Sequence, residues 1–221
     1  VTPRIRDLAI GAACLLAVGV LGAFVAAGFL GDPGPIDAWW SSVAGDMRSP
    51  VTESIALGLN VLGRGVVAAV VVPLVAVVVL LLARRPFSAL AAVVGATLTF
   101  LLTRVLKELF ARDRPGDMLV ESDFGSFPSG HASAAAVLAA VFFLVFPSTL
   151  VRVLAVVYIV AMMWSRTLLG AHWLSDVVGG ALLGVGVAFV VVGLLHPLLR
   201  RERLLRERVL RRKPVGSDEH A

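Results

Sequence analysis

The sequence predicts an all-α integral membrane protein, a bundle of six transmembrane helices, on three observations. Of its 221 residues, 58% are hydrophobic and 16% charged, and the mean hydropathy is +0.92. Soluble domains run about 45–50% apolar and about 25% charged. The apolar residues gather into six long runs, and a membrane span needs about 20 of them. The runs are rich in Val, Leu and Ala without two-residue alternation, which selects helices over the strands of a membrane barrel. This composition excludes a disordered chain, a collagen-like repeat and a disulfide scaffold. The single cysteine, Cys14, lies in an apolar run with nothing in the chain to bridge to.

The runs cover residues 8–30, 66–83, 87–106, 132–146, 150–164 and 174–195. The first is too long for a signal-peptide core and is followed by further spans, so it reads as a retained anchor. Pro73 is expected to kink the second run. The fourth and fifth are short and are expected to extend into their flanking loops. Six spans put both termini on one side. That side carries thirteen Lys and Arg, eight of them from Arg200 to Lys213, against seven on the other. The positive-inside rule therefore places both termini in the cytoplasm and segments 31–65, 107–131 and 165–172 outside. Usage rich in Ala, Val and Arg suggests a bacterial source, so the expected location is the cytoplasmic (inner) membrane with the outer segments facing the periplasm.

Residues 1–197 are expected to form the six-span domain and residues 198–221 a basic cytoplasmic tail. The net charge of +5 and the pI near 10.6 arise largely from that tail. Beside a span, such charge fits anionic lipid headgroups, and no nucleic-acid-binding motif is present. Residues 198–213 read as an amphipathic helix anchored on the headgroups, and 214–221 as a disordered end. In the first outer segment Ile36, Trp39, Trp40, Val43 and Met47 recur at near-helical spacing, which suits a helix lying in the interface.

Polar side chains near spans are costly and need a reason. Here they concentrate in three groups, all on the outer face by the topology above. Lys107, Arg114 and Arg166 supply three cations; Arg offers a planar donor fork for phosphate oxygens and Lys a compact point charge. Ser129 and Gly130 open a helix, where exposed N–H groups and the hydroxyl can hold an anion. His172 and Asp176 are four apart, on one helix face, so the carboxylate can accept a hydrogen bond from the N–H of one ring nitrogen and leave the other free as a nucleophile. His131 suits proton donation to a leaving oxygen.

Each has a bland alternative. Lys107 and Arg114 can be snorkelling residues at a span end, His172 and Asp176 a structural pair, Ser129 only an N-cap. Arg104 and Glu108 read as a local i, i+4 pair, and Arg112 and Asp113 have no fixed role. His196 and His220 lie far from the outer groups. Glu121 and Asp123 are candidates for shaping the outer loop.

The three groups together resemble the signature of the type 2 phosphatidic acid phosphatase superfamily of membrane lipid phosphatases. Lys107 is followed after six residues by Arg114-Pro115, then come Pro128-Ser129-Gly130-His131, then Ser165-Arg166, five residues, His172, three residues and Asp176. The resemblance implies that His172 attacks phosphorus to form a phosphohistidine and that Asp176 orients it. Lys107, Arg114, Ser129, Gly130 and Arg166 hold the phosphoryl oxygens, and His131 protonates the leaving lipid oxygen and then activates water. No metal or other cofactor enters that scheme. The implied substrate is a lipid phosphate or diphosphate, with undecaprenyl or decaprenyl diphosphate ranked first, beside phosphatidate, diacylglycerol pyrophosphate and phosphatidylglycerophosphate. The rivals are a lipid phosphotransferase using the same residues and, from another class, an anion or phospholipid transporter. Vanadium haloperoxidases share the anion-binding pattern but are soluble.

Overall fold

The computed structural model describes residues 2–28, 33–122 and 124–211, and the side chains of 209–211 are left aside. The distal end of the first expected run, Asp123 and the expected disordered end at 214–221 lie outside the described residues. The regular structure of the described residues is helical, with no strands among them: α1 (Pro3–Ala26), α2 (Pro35–Asp46), α3 (Pro50–Leu62), α4 (Val72–Leu82), α5 (Pro86–Phe110), α6 (Gly130–Val145), α7 (Thr149–Leu168), α8 (Leu174–Leu194) and α9 (His196–Arg211).

Local chemistry sets the starts. Proline stands in the first turn of α1, α2, α3 and α5, where its missing N–H is no loss. Thr2, Ser49, Ser129 and Ser148 accept an N–H at the starts of α1, α3, α6 and α7. α1, α5, α7 and α8 are each long and apolar enough to cross a membrane. The second expected run belongs to a bent pair: α3 meets the helix running on from Val67 at 60°, across the break at 63–66. The bend therefore falls at Gly63 and Gly65, not at Pro73. A π turn at Val67–Val71 runs into α4, and Pro73 sits in the first turn of α4 without breaking it. The fourth expected run forms α6, a short apolar helix of 16 residues. The fifth extends past its apolar core to Leu168.

α8 is the axis of the bundle, packed by α1, α5, α6 and α7. Small residues let α6 and α8 approach closely. A Cβ on Gly180 would lie 2.5 Å from the Ser129 carbonyl oxygen, and one on Gly184 would strike the Ser133 carbonyl. The buried core is correspondingly alanine- and valine-rich on α5, α6 and α8. Leu16, Leu74 and Leu82, by contrast, point outward on α1 and α4, as expected where lipid is the solvent. The C-terminal ends of α3, α5 and α7 and the N-terminal ends of α6 and α8 meet at one end of the bundle.

Candidate active site

The first motif is built by an abrupt helix stop. Ala111 ends α5 in the left-handed region, φ +43°, with its N–H on the Lys107 carbonyl at 2.9 Å. The chain then doubles back across the end of the bundle. Lys107, buried in the last turn of α5, donates Nζ–H to the Gly125 carbonyl at 2.6 Å. Arg114 donates one Nη2–H to the same oxygen at 2.8 Å and an Nη1–H to the Ala171 carbonyl at 2.6 Å. Gly125 sits at φ +73°, a turn that favours glycine, and it draws two of the predicted cations together.

The third motif closes on the same spot. Arg48 donates Nε–H to the Leu168 carbonyl at 2.9 Å and pairs with Asp117 at 2.7 Å, holding the end of α7 against the loop that follows α5. The chain turns at Gly170, φ +63°, and presents His172, only 4% exposed. Its Nε2 lies 3.2 Å from Nη1 of Arg114. A guanidinium only donates, so Nε2 is the acceptor and the ring proton resides on Nδ1. Nδ1 faces Asp176 Oδ2 at 3.5 Å, beyond normal hydrogen-bond length. Burial, then the charges of Arg114, Arg166 and Lys107, push the His172 imidazole well below its ordinary range. Arg114 thus sits against Nε2, and Arg166 and Lys107 lie near enough to act electrostatically on the same imidazole.

Arg166, 1% exposed, donates Nη1–H to Asn60 Oδ1 of α3 at 2.5 Å. Ser129 caps α6 with its hydroxyl, as the bland reading expected, while its backbone N–H reaches the Asp176 carbonyl at 3.0 Å and docks the second motif onto α8. Gly130 opens α6, and the His131 ring beside it covers Gly63 so closely that any Cβ there would run into the imidazole. The bend after α3 therefore delivers both the partner of Arg166 and the floor under His131.

Four contributors escaped the sequence reading. Arg112, to which no role was given, is buried and links two carboxylates: Nη1 reaches Asp176 Oδ1 at 2.6 Å and Nη2 reaches Asp37 Oδ2 at 2.7 Å. Asp37, 3% exposed on α2, also accepts the Ser175 N–H at 2.8 Å and its hydroxyl at 2.6 Å. Asp176 Oδ2 takes the Trp173 N–H at 2.9 Å, so both of its oxygens are held by protein donors. Asn60 and Gly63 complete the set. The only signal for them was an aspartate and an asparagine in a segment otherwise suited to the interface. That segment does contain the expected helix, α2, with Trp39 exposed. Among the described residues no ion pair joins Arg104 to Glu108; the Arg104 guanidinium lies 5.8 Å from the Phe100 ring centroid. Glu121 pairs with Arg64 at the surface, at 3.3 Å. No cluster of three or more His, Cys, Asp or Glu among the described residues has the arrangement of a metal site.

A family model for the PAP2 superfamily matches residues 88–199, half of the chain, and contains all three motifs. The chain belongs to the PAP2 superfamily. Phosphatidylglycerophosphatase B of Bacillus subtilis (strain 168) is 39% identical over 104 residues, 42% of this chain and 51% of that protein. The chain thus spans about half the length of the curated relative it matches. The crystal structure of a transmembrane PAP2-type phosphatidylglycerolphosphate phosphatase from Bacillus subtilis superposes with a TM-score of 0.73 at 26% identity. It covers 85% of this chain and 96% of that one. LpxE of Aquifex aeolicus shares the fold of this chain at 22% identity, with a TM-score of 0.65 over 74% of this chain and 98% of its own.

Proposed function

We propose that this PAP2 chain is a membrane lipid phosphatase that cleaves a phosphate ester or anhydride through a phosphohistidine on His172. The observation that carries the reading is the buried His172, its Nε2 3.2 Å from the Arg114 guanidinium, with burial and the nearby cations favouring the uncharged ring. In the first step Nε2 attacks phosphorus, the bond from phosphorus to the lipid oxygen breaks, and His131 gives that oxygen its proton. Lys107, Arg114 and Arg166, with Ser129 and the Gly130 N–H, hold the phosphoryl oxygens as charge builds on them. Asp176 steadies the Nδ1 side of the ring. In the second step water attacks phosphorus, His131 takes the water proton, and the nitrogen–phosphorus bond breaks to release phosphate and free His172.

The likeness to phosphatidylglycerophosphatase B puts phosphatidylglycerophosphate first among substrates, ahead of the polyprenyl diphosphates favoured by the sequence. In this reading six spans, with the bent pair as the second and α6 as the fourth, keep both termini on one side, and the positive-inside bias assigns that side to the cytoplasm and the site to the outer face of a bacterial inner membrane. Residues 1–197 form the membrane domain and 198–221 the basic tail. The test is phosphate release by the purified protein in detergent with EDTA present, from phosphatidylglycerophosphate, phosphatidate and undecaprenyl diphosphate, beside His172→Ala. Release from the first substrate that vanishes in the variant, with an acid-labile phosphoenzyme in the wild type, is the expected result. Release that persists in His172→Ala would overturn the mechanism. Phosphate passed to an added alcohol acceptor and not to water would favour the phosphotransferase.

A further inference from the structure

At the opposite end of the bundle lies a second cationic site. Arg85 precedes α5, 22 residues before Lys107, so roughly 33 Å of helix separates it from the active site. Its guanidinium lies over the Phe146 ring, 4.5 Å from the centroid, and the residue is only 6% exposed. Its Nε is buried without a hydrogen-bond partner, and among the described residues no carboxylate forms an ion pair with Arg85. A buried cation left this way is unfavourable unless something anionic meets it.

The neighbouring carboxylates are engaged elsewhere. Glu202, on α9, caps α5: Oε2 accepts the N–H groups of Phe87 at 2.7 Å and Ser88 at 3.2 Å, and Oε1 accepts the Ser88 hydroxyl at 2.6 Å. Asp7 is held by Arg6 at 3.0 Å. Arg206 and Arg203 lie near enough to oppose the charge on Arg85, and Glu202, though committed to capping α5, near enough to favour it in part. A crevice of about 120 Å³ opens between these groups, lined among others by Arg6, Arg85, Ser88, His196, Glu202 and Arg203. That is room for several water-sized groups, in surroundings with more positive than negative charge.

The geometry points to a binding site here for a phosphate-bearing anion, separate from the active site and received by Arg85 with Arg203 at its mouth. Guanidinium forks match tetrahedral phosphate oxygens. Such a group can come from an anionic phospholipid headgroup at this membrane surface or from a soluble phosphate. The site stands independently of the proposed phosphatase reaction.

The test is thermal unfolding of the full chain in detergent, comparing wild type with variants that all keep the same active site, so that binding there cancels between them. Phosphatidylglycerol in mixed micelles should raise the wild-type midpoint by roughly 5 °C or more at saturation. Arg85→Gln should lose most of that rise, and phosphatidylcholine should produce none. Arg203→Gln, an exposed position that leaves the buried packing intact, should lose at least half and serves if Arg85→Gln does not fold. Arg208→Gln, exposed on the same helix outside the crevice, should keep the full rise. The same rise with inorganic phosphate alone would identify a soluble ligand, and a rise with the lipid only would identify the headgroup. No rise with either ligand, equal rises in wild type and Arg85→Gln, or equal losses in Arg203→Gln and Arg208→Gln would each overturn the site.

Discussion

Asp176 makes no direct hydrogen bond to the His172 ring at 3.5 Å, yet both of its oxygens are held in place. Arg112 holds one of its oxygens and the Trp173 N–H the other, and Asp37 holds Arg112 in turn. Asp37 is thus a positioning residue acting through two others. Asp37→Asn should lower kcat for phosphatidylglycerophosphate by roughly 10²-fold, the usual consequence of displacing a reacting group by about 1 Å, with KM little changed. Asp37→Glu should recover part of the loss, and wild-type kcat in Asp37→Asn would refute the role. The depressed imidazole of His172 has its own consequence. It binds a proton less readily folded than unfolded, so the unfolded chain takes up more protons as pH falls below about 6.5. The stability tied to His172 is therefore complete above about pH 6.5 and lost as pH falls toward its lowered folded value. Thermal midpoints between pH 7.5 and 5 should show a decline that is smaller in His172→Gln. The acidic limb of kcat/KM should likewise lie below the usual imidazole range.

At the level of elements, the bend between α3 and α4 does the most for the site. A straight helix through 50–82 would carry Asn60 and Gly63 away from Arg166 and His131. The 60° turn brings the end of α3 against them. Gly63 is required by close approach, since a Cβ would occupy the space of the imidazole. Gly63→Ala should therefore displace His131 and impair protonation of the leaving oxygen. Its kcat should fall far more on lipid substrates than on p-nitrophenyl phosphate, whose leaving group needs little protonation. Equal losses on both would argue against His131 as the acid. The sequence reading placed a kink at Pro73, because proline in a helix interior forfeits a hydrogen bond. The π turn ahead of it puts Pro73 in a first turn, where no such bond is owed.

For the molecule as a whole, the two ends are chemically different. One gathers the three motifs; the other bears Arg84, Arg85 and the arginines of α9, which the positive-inside rule assigns to the cytoplasm. Single cysteines at Glu121 and Arg208, in a Cys14→Ala background, test that orientation. Both positions are exposed, at opposite ends. In intact spheroplasts a membrane-impermeant maleimide should label the cysteine at 121 and spare the one at 208. The reverse pattern would invert the topology.

Hydropathy was enough to show that this chain is helical and membrane-bound, because apolar runs of span length have few other solutions. Three spaced motifs were enough to name Lys107, Arg114, Ser129, Gly130, His131, Arg166, His172 and Asp176, because each lies in a short local pattern. Asp37, Asn60, Gly63 and Arg112 belong to no such pattern. The partners of the first three lie on other helices, Asp37 meeting Ser175 across 138 residues and Asn60 meeting Arg166 across 106. Contacts over that separation are decided by how the helices cross, and only the tertiary structure shows that the segment expected to lie in the interface supplies the supports of the site.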